Sequence, residues 1–401
     1  MRPVALFAAS VMTVAVLSCS TSNGPAASSA RTASPGLALN PGESKAADFR
    51  TRLDLLLGEH VIAIAKESSA TGRPDEYTSY LRVVTSNGND LTDLIRSALG
   101  DSAAASFDKI WSTQNDNFVN YAIGLVTHNK SKSNSAMSSL ASTFVPQFSQ
   151  FLTATTQLPL DPITQLTTQH VLETKAMIDD QFTKNYPRLY ADLHLVYGQA
   201  SRIGDAVANQ MAQKFRDKFP GDPSSKAVDL RVSMNNLLQE HVYIATMMTG
   251  AAAGGRSAEQ AAASGSLAES SDALGTLFAD LFGQPVGTRF DEIWAAKDAA
   301  TLAYAAAATE SAKQSALGRL SGDFVTQFSS FLQDVTGVAS GNLRPAIATQ
   351  VQATLAVIDD QRAKSATTLG ADDRSAGASS GAVADIIASA AVTKLRSRFG
   401  S

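Results

Sequence analysis

The sequence predicts an all-α protein built as two tandem antiparallel helical bundles, and three observations carry that reading. After Ala46, apolar residues recur at spacings of three and four along nearly the whole chain, the signature of amphipathic helices. No stretch shows the two-residue alternation of a half-buried strand. The chain also repeats itself. Leu56-Leu57-Gly58-Glu59-His60-Val61 returns as Leu237-Leu238-Gln239-Glu240-His241-Val242, and Phe107-Asp108-Lys109-Ile110-Trp111 returns as Phe290-Asp291-Glu292-Ile293-Trp294. Phe144-Val145-Pro146-Gln147-Phe148 matches Phe324-Val325-Thr326-Gln327-Phe328, and Ile178-Asp179-Asp180-Gln181 matches Ile358-Asp359-Asp360-Gln361. The offsets are 181, 183, 180 and 180. A period that long marks duplicated domains, since solenoid repeats run to about 20–50 residues.

Each unit reads as four long helices with additional ones. In the first, Leu53, Leu56, Leu57, His60, Val61 and Ile64 fall on one helical face, and Thr71-Gly72-Arg73-Pro74 ends that helix. A second helix runs from about Asp75 to Leu99, and a third carries Phe107, Ile110, Trp111, Gln114, Phe118 and Tyr121 on one stripe. A fourth covers about Ser131 to Leu152. Asp161-Pro162 suits the N-cap and first position of a fifth, whose stripe includes Ile163, Leu166, His170, Val171 and Ile178. After Asn185-Tyr186-Pro187 a sixth is expected to reach about Phe219. The second unit repeats this order with more Ala and Gly. Residues 250–265 read as an Ala/Gly/Ser-rich insert, and Tyr190, Leu193 and Tyr197 lack large counterparts.

At 401 residues, 44% hydrophobic and 17% charged, the chain has ample material for two cores. The formal charge of −4, without a Lys/Arg cluster, argues against a nucleic-acid partner. Arg2 precedes an uncharged stretch, Val4 to Leu17, too short for a membrane span. It ends in Val16-Leu17-Ser18-Cys19, and Cys19 is the sole cysteine. This resembles a bacterial lipobox, which implies lipidation of Cys19, palmitate-type acylation, and a protein anchored on the extracytoplasmic side of a membrane. The expected organisation is a signal peptide over residues 1–18, a flexible Ser/Ala/Gly/Pro-rich tether over 19–45, repeat one over 46–219, a linker over 220–226, and repeat two over 227–401.

Polar side chains on apolar stripes are the candidate functional residues. His60, Gln114 and His170 lie in line with the core positions of their helices, and Glu59 flanks His60. Their counterparts are His241, Lys297, Gln350 and Glu240. One reading is a metal site, copper, zinc or iron, with His60 and His170 as ligands and Glu59 as carboxylate or supporting group. The other is a hydrogen-bonded polar cluster that sets helix register. In repeat two, Lys297 could pair with Glu240. His194 flanks an aromatic stripe and reads as a boundary residue.

The pattern Leu-Leu-x-Glu-His, then Phe-x-x-Ile-Trp, then a helix bearing His170 resembles an all-helical bacterial envelope module that occurs as tandem repeats, sometimes in proteins with copper amine oxidase domains. In that module the Trp is followed three residues on by His, and the last helix carries another. Here those positions are Gln114 and Gln199 in repeat one, and Lys297 and Ser379 in repeat two. The resemblance implies that any metal set is half lost in the first repeat and more so in the second.

No Glu-x-x-His pair, His-Glu-x-x-His, phosphate-binding glycine loop or Cys-x-x-Cys occurs. The expectation is a non-enzymatic binding or scaffold module with no cofactor, its partner an envelope protein or a small ligand. The alternative is a metal-binding lipoprotein using the first bundle.

Overall fold

Ser44 and Ser225 occupy the same place in the two repeats, and each caps the first helix of its copy. Ser44 Oγ accepts from the Ala47 amide at 3.1 Å, and Ser225 Oγ accepts from the Val228 amide at 3.4 Å. The structure, a computed structural model, describes residues 42–400. The expected signal peptide, Cys19 and nearly all of the tether lie outside the described residues.

Helices follow one another in the first copy as α1 (Lys45–Ala70), α2 (Pro74–Leu99), α3 (Asp101–Val126), α4 (Lys130–Ser139), α5 (Val145–Thr156), α6 (Leu160–Thr183) and α7 (Tyr186–Lys214). The second copy repeats them as α8 (Lys226–Ala253), α9 (Ser257–Phe282), α10 (Gln284–Ala305), α11 (Glu310–Leu317), α12 (Val325–Thr336), α13 (Ser340–Ala363) and α14 (Ala366–Lys394), with a short α15 (Arg396–Phe399) at the end. Among the described residues there is no strand. The protein is all-α, a helical-bundle arrangement whose second half repeats the first.

Several boundaries differ from the sequence reading. Asp161 lies inside the first turn of α6, whose N-cap is Pro159, so it does not cap the helix. The expected fourth helix is α4 and α5 joined by a π-helical turn, Leu140–Phe144, and the second copy has the same turn at Gly318–Phe324. That widened turn brings Phe144 and Phe148 into a stack at 5.3 Å beside Trp111, and Phe324 and Phe328 into a stack at 5.3 Å beside Trp294. The α7 helix ends at Lys214, short of Phe219. Residues 250–265 form no loop insert: α8, 28 residues against the 26 of α1, continues to Ala253, the chain turns at Gly254-Gly255, and helix resumes at Ser257.

The copies share a core. Tyr243, Ile244, Met248, Ala263 and Leu369 of the second copy belong to the apolar cluster built on the first. Helix α1 packs on α8, α2 on α14, and α7 on α9. The contacts are reciprocal, as in an isologous interface. Arg50 bonds Asp205 of its own copy at 2.5 Å and Asp229 of the other at 2.6 Å. The equivalent Arg231 bonds Asp385 of its own copy at 2.8 Å and Asp48 of the other at 2.6 Å.

Gly377 in α14 is explained by an aromatic ring of its own copy. In the first copy Tyr197 of α7 lies over Gly58 of α1, where a Cβ would sit 2.5 Å from the ring. In the second, Gly377 stands at the Tyr197 position and the ring comes instead from Tyr243 of α8, against which a Cβ on Gly377 would collide. The aromatic volume has changed helices, so the cavity stays filled. Helix α14 is long and apolar enough to cross a membrane by length and composition, but it packs against α8, α13 and α2.

Candidate functional site

Helix α1 is buried on nearly every side. One face looks into its own bundle and the opposite face meets the second copy. His60 belongs to the first face and Glu59 to the second, so adjacent residues serve different purposes.

On the inner face the amide nitrogen of Gln114 (α3) lies 2.9 Å from His60 Nε2 (α1) and 3.0 Å from His170 Nε2 (α6). An NH₂ group has two protons, and donation to both rings requires the tautomer in which each imidazole carries its own proton on Nδ1. Burial drives the His60 pKa well below its usual value, with His170 beside it adding to the effect. Burial alone lowers His170 to about 4. Both rings are therefore neutral at neutral pH. His60 Nδ1, His170 Nδ1 and Gln114 Oε1 are buried with no partner among the described residues. The adjoining cavity, about 10 Å³, is lined by these three residues with Leu57, Trp111 and Phe148 among others, and it is about the size of one water.

The equivalent position in the second copy is built differently. Lys297 Nζ lies 2.8 Å from His241 Nε2, and the Trp294 indole donates to the same nitrogen at 3.1 Å. Asp298, which the sequence reading passed over, lies 3.3 Å from Lys297 Nζ and accepts from Ser271 at 2.9 Å. Burial pushes the Asp298 carboxyl upward, but His241 and Lys297 beside it prevail and hold it down at about 2. The expected Lys297–Glu240 pair does not form, because the two side chains leave their helices toward opposite faces. Gln350 does not reach His241 either. It donates to Thr354 Oγ1 at 3.1 Å, one turn along its own helix.

Glu59 is no neighbour of the imidazole nitrogens. It accepts from Asn87 Nδ2 at 2.8 Å and Tyr243 OH at 3.0 Å, and it pairs with Arg374 of the second copy at 2.8 Å. Glu240 does the same in reverse, meeting His194 Nδ1 of the first copy at 2.8 Å. His194 and Arg374 are equivalent positions. The Glu of the repeated Leu-Leu-x-Glu-His motif is thus an inter-copy clasp, and in the second copy's case its basic partner is His194, exposed at the edge of the α7 stripe. A second clasp lies two turns along the same face of α1, where Lys66 donates to Thr246 Oγ1 at 2.7 Å and to both oxygens of Asp373, the nearer at 2.6 Å.

Beyond Lys66 the two copies enclose a cleft of about 450 Å³. Tyr80, Met247 and Leu369 form its apolar floor, and Lys66, Arg73, Arg256, Lys364, Asp75, Glu76, Glu259 and Asp360 supply its charges. Arg73 and Arg256 occupy equivalent places after the turn that ends the first helix of each copy. Each is fixed through Nε to the glutamate three residues on, Arg73 to Glu76 and Arg256 to Glu259, both at 2.8 Å. The repeated Gly-Arg-x-x-Glu, Gly72 to Glu76 and Gly255 to Glu259, was the available signal for this cleft.

Among the described residues no group of three or more His, Cys, Asp or Glu side chains comes together as a metal cage. Compared with protein-family models, with curated proteins and with solved structures, the chain matches none.

Proposed function

We propose that this protein is a lipid-anchored envelope module that binds a small ligand, without transforming it, in the cleft where its two copies meet. The observation that carries the reading is that cleft, about 450 Å³ with an apolar floor and charged walls. Ligand pockets for small molecules fall in the range of about 300–1,000 Å³ and combine those two kinds of lining. The charges are supplied by both copies, which gives the duplication a purpose: neither repeat alone encloses the space. The lipobox-like Val16-Leu17-Ser18-Cys19 supports the anchor.

The test uses the full chain in its native envelope. Wild-type protein is expected in the membrane fraction carrying a co-purifying small molecule visible by native mass spectrometry. Cys19→Ser is expected to leave that fraction, and Ser69→Trp, which fills the cleft, to lose the adduct while staying folded. An adduct that survives Ser69→Trp would remove the cleft from the function.

A second reading has one observation in its favour. The Nε2 atoms of two neutral imidazoles converge on a single point, now held by the Gln114 amide. Imidazole nitrogen suits copper, zinc or iron, but His60 and His170 supply only two of the four ligands of a tetrahedral zinc site, and Glu59 is committed elsewhere. A bound ion would have to displace Gln114 and draw the rings to about 2 Å from it. Titration of the full chain with Cu(I) or Zn(II) should then give one ion per chain, lost in His170→Ala. Equal uptake by wild type and variant would end this reading.

A further inference from the structure

The ligand reading of the cleft can be taken one step further, to the chemical class of what it holds, and this step rests on that reading. The charges that line the space are balanced, four basic against four acidic. A purely anionic or purely cationic guest would leave one set facing it with the wrong sign. The groups also differ in how much of their bonding capacity is already used.

Lys66 is closed: its ammonium is taken up by Thr246 and both oxygens of Asp373. The two arginines are half open. Nε of each is bound to its own glutamate, which orients the planar group, while among the described residues the Nη atoms of Arg73 and Arg256 have no hydrogen-bond partner. A guanidinium fixed in this way offers a preset pair of N–H donors, the geometry that suits a carboxylate. Tyr80 lines the same cleft as both arginines. At the rim Asp75 has no partner among the described residues and offers a carboxylate for a cationic group. Glu76 and Glu259 are each engaged by an arginine, and Asp360 accepts from Thr368 at 2.7 Å.

We propose that the cleft takes a small zwitterion of the α-amino-acid class, its carboxylate on the Nη atoms of Arg73 and Arg256, its ammonium on Asp75, and its apolar side chain on Tyr80, Met247 and Leu369. The guest's two charges answer groups of each sign that are still open in the cleft. The floor accounts for the apolar part, since burial against Tyr80 and Leu369 removes hydrocarbon from water at roughly 25 cal/mol per Å².

Three probes that share a phenyl body separate the terms: phenylalanine, 3-phenylpropionate, which lacks the ammonium, and phenethylamine, which lacks the carboxylate. Titration calorimetry on the full chain should give phenylalanine an affinity about tenfold or more above either single-charge probe. Arg256→Lys keeps the counter-charge for buried Glu259, so it folds. It should weaken phenylalanine and 3-phenylpropionate by about tenfold while leaving phenethylamine unchanged. Asp75→Asn, at the rim, should weaken phenylalanine and phenethylamine and spare 3-phenylpropionate. Equal affinity for phenylalanine and either single-charge probe, or binding indifferent to both substitutions, overturns the zwitterion assignment and leaves a ligand cleft of another class. No binding of any probe, together with an unchanged adduct in Ser69→Trp, removes the ligand reading itself.

Discussion

Asp373→Ala is expected to cost about 3–5 kcal/mol of stability, the range for leaving a buried charge without its partner. Lys66 and Asp373 are both nearly inaccessible, their side chains 5% and 2% exposed, and they join α1 of one copy to α14 of the other. With the carboxylate gone, Lys66 keeps the Thr246 hydroxyl and the faces of Tyr80 and Tyr243 in a site that burial already makes unfavourable for its charge. Denaturant unfolding measures the loss as a shift in midpoint at constant slope. The duplication supplies the control. At the equivalent contact between α8 and α7 the residues are Met247 and Leu193, both buried. The double replacement Lys66→Met with Asp373→Leu therefore installs a pair this interface already packs, and it should lie within about 1–2 kcal/mol of wild type, since buried ion pairs exchange for apolar ones at little cost. A single variant as stable as wild type would show that the pair contributes nothing to joining the copies.

Glu67→Gln should change how stability depends on pH by about 3 kcal/mol. Glu67 is fully buried on α1, and burial raises its pKa to about 7, with the Ser68 hydroxyl and nearby Tyr77 opposing the shift only in part. Its folded pKa lies above the unfolded value. The folded protein therefore holds this proton more tightly, and the carboxyl costs nothing below the unfolded pKa. The cost grows as pH rises from about 4.5 to about 7 and is constant above that. The buried histidines act in the other direction over much of this range. His170, lowered to about 4, favours the folded state most above its unfolded value and less as pH falls through that interval. Wild type and Glu67→Gln share the histidines, so the difference between their unfolding curves isolates Glu67. That difference should rise in favour of the variant between pH 4.5 and 7 and then level. A difference independent of pH would mean that Glu67 is ionised in the folded protein at ordinary carboxylate pH.

The second copy places Met248 where the first has Glu67, which shows how the halves have diverged. The shared residues hold the common architecture: Phe107 with Trp111, Phe290 with Trp294, the paired phenylalanines after each π turn, and the reciprocal Arg50 and Arg231 clasps. The differing residues are found where the copies touch or where each bundle resolves its own polar core. Where the first copy joins His60, Gln114 and His170, the second joins His241, Lys297 and Asp298 within the same helical order.

The amino-acid pattern alone determined the all-α class, the duplication, most helix boundaries, and the meeting of His60, Gln114 and His170. Each of these follows from local periodicity or from residues in line with a single apolar stripe, and such relations are written along one helix at a time. The roles of Glu59, Glu240, His194, Lys66 and Asp373, and the cleft between the copies, were decided only by tertiary structure. Their partners lie on helices of the other copy, from 46 residues away along the chain for His194 and Glu240 to 315 for Glu59 and Arg374. A buried α1 has two apolar faces, and a stripe can be read from sequence for either. Which charged residue each face meets depends on how two near-identical bundles turn against one another, and only contacts that cross between them, such as Tyr197 OH on Gln239, Tyr243 OH on Glu59 and the Gly370 amide on Ser79, record that orientation.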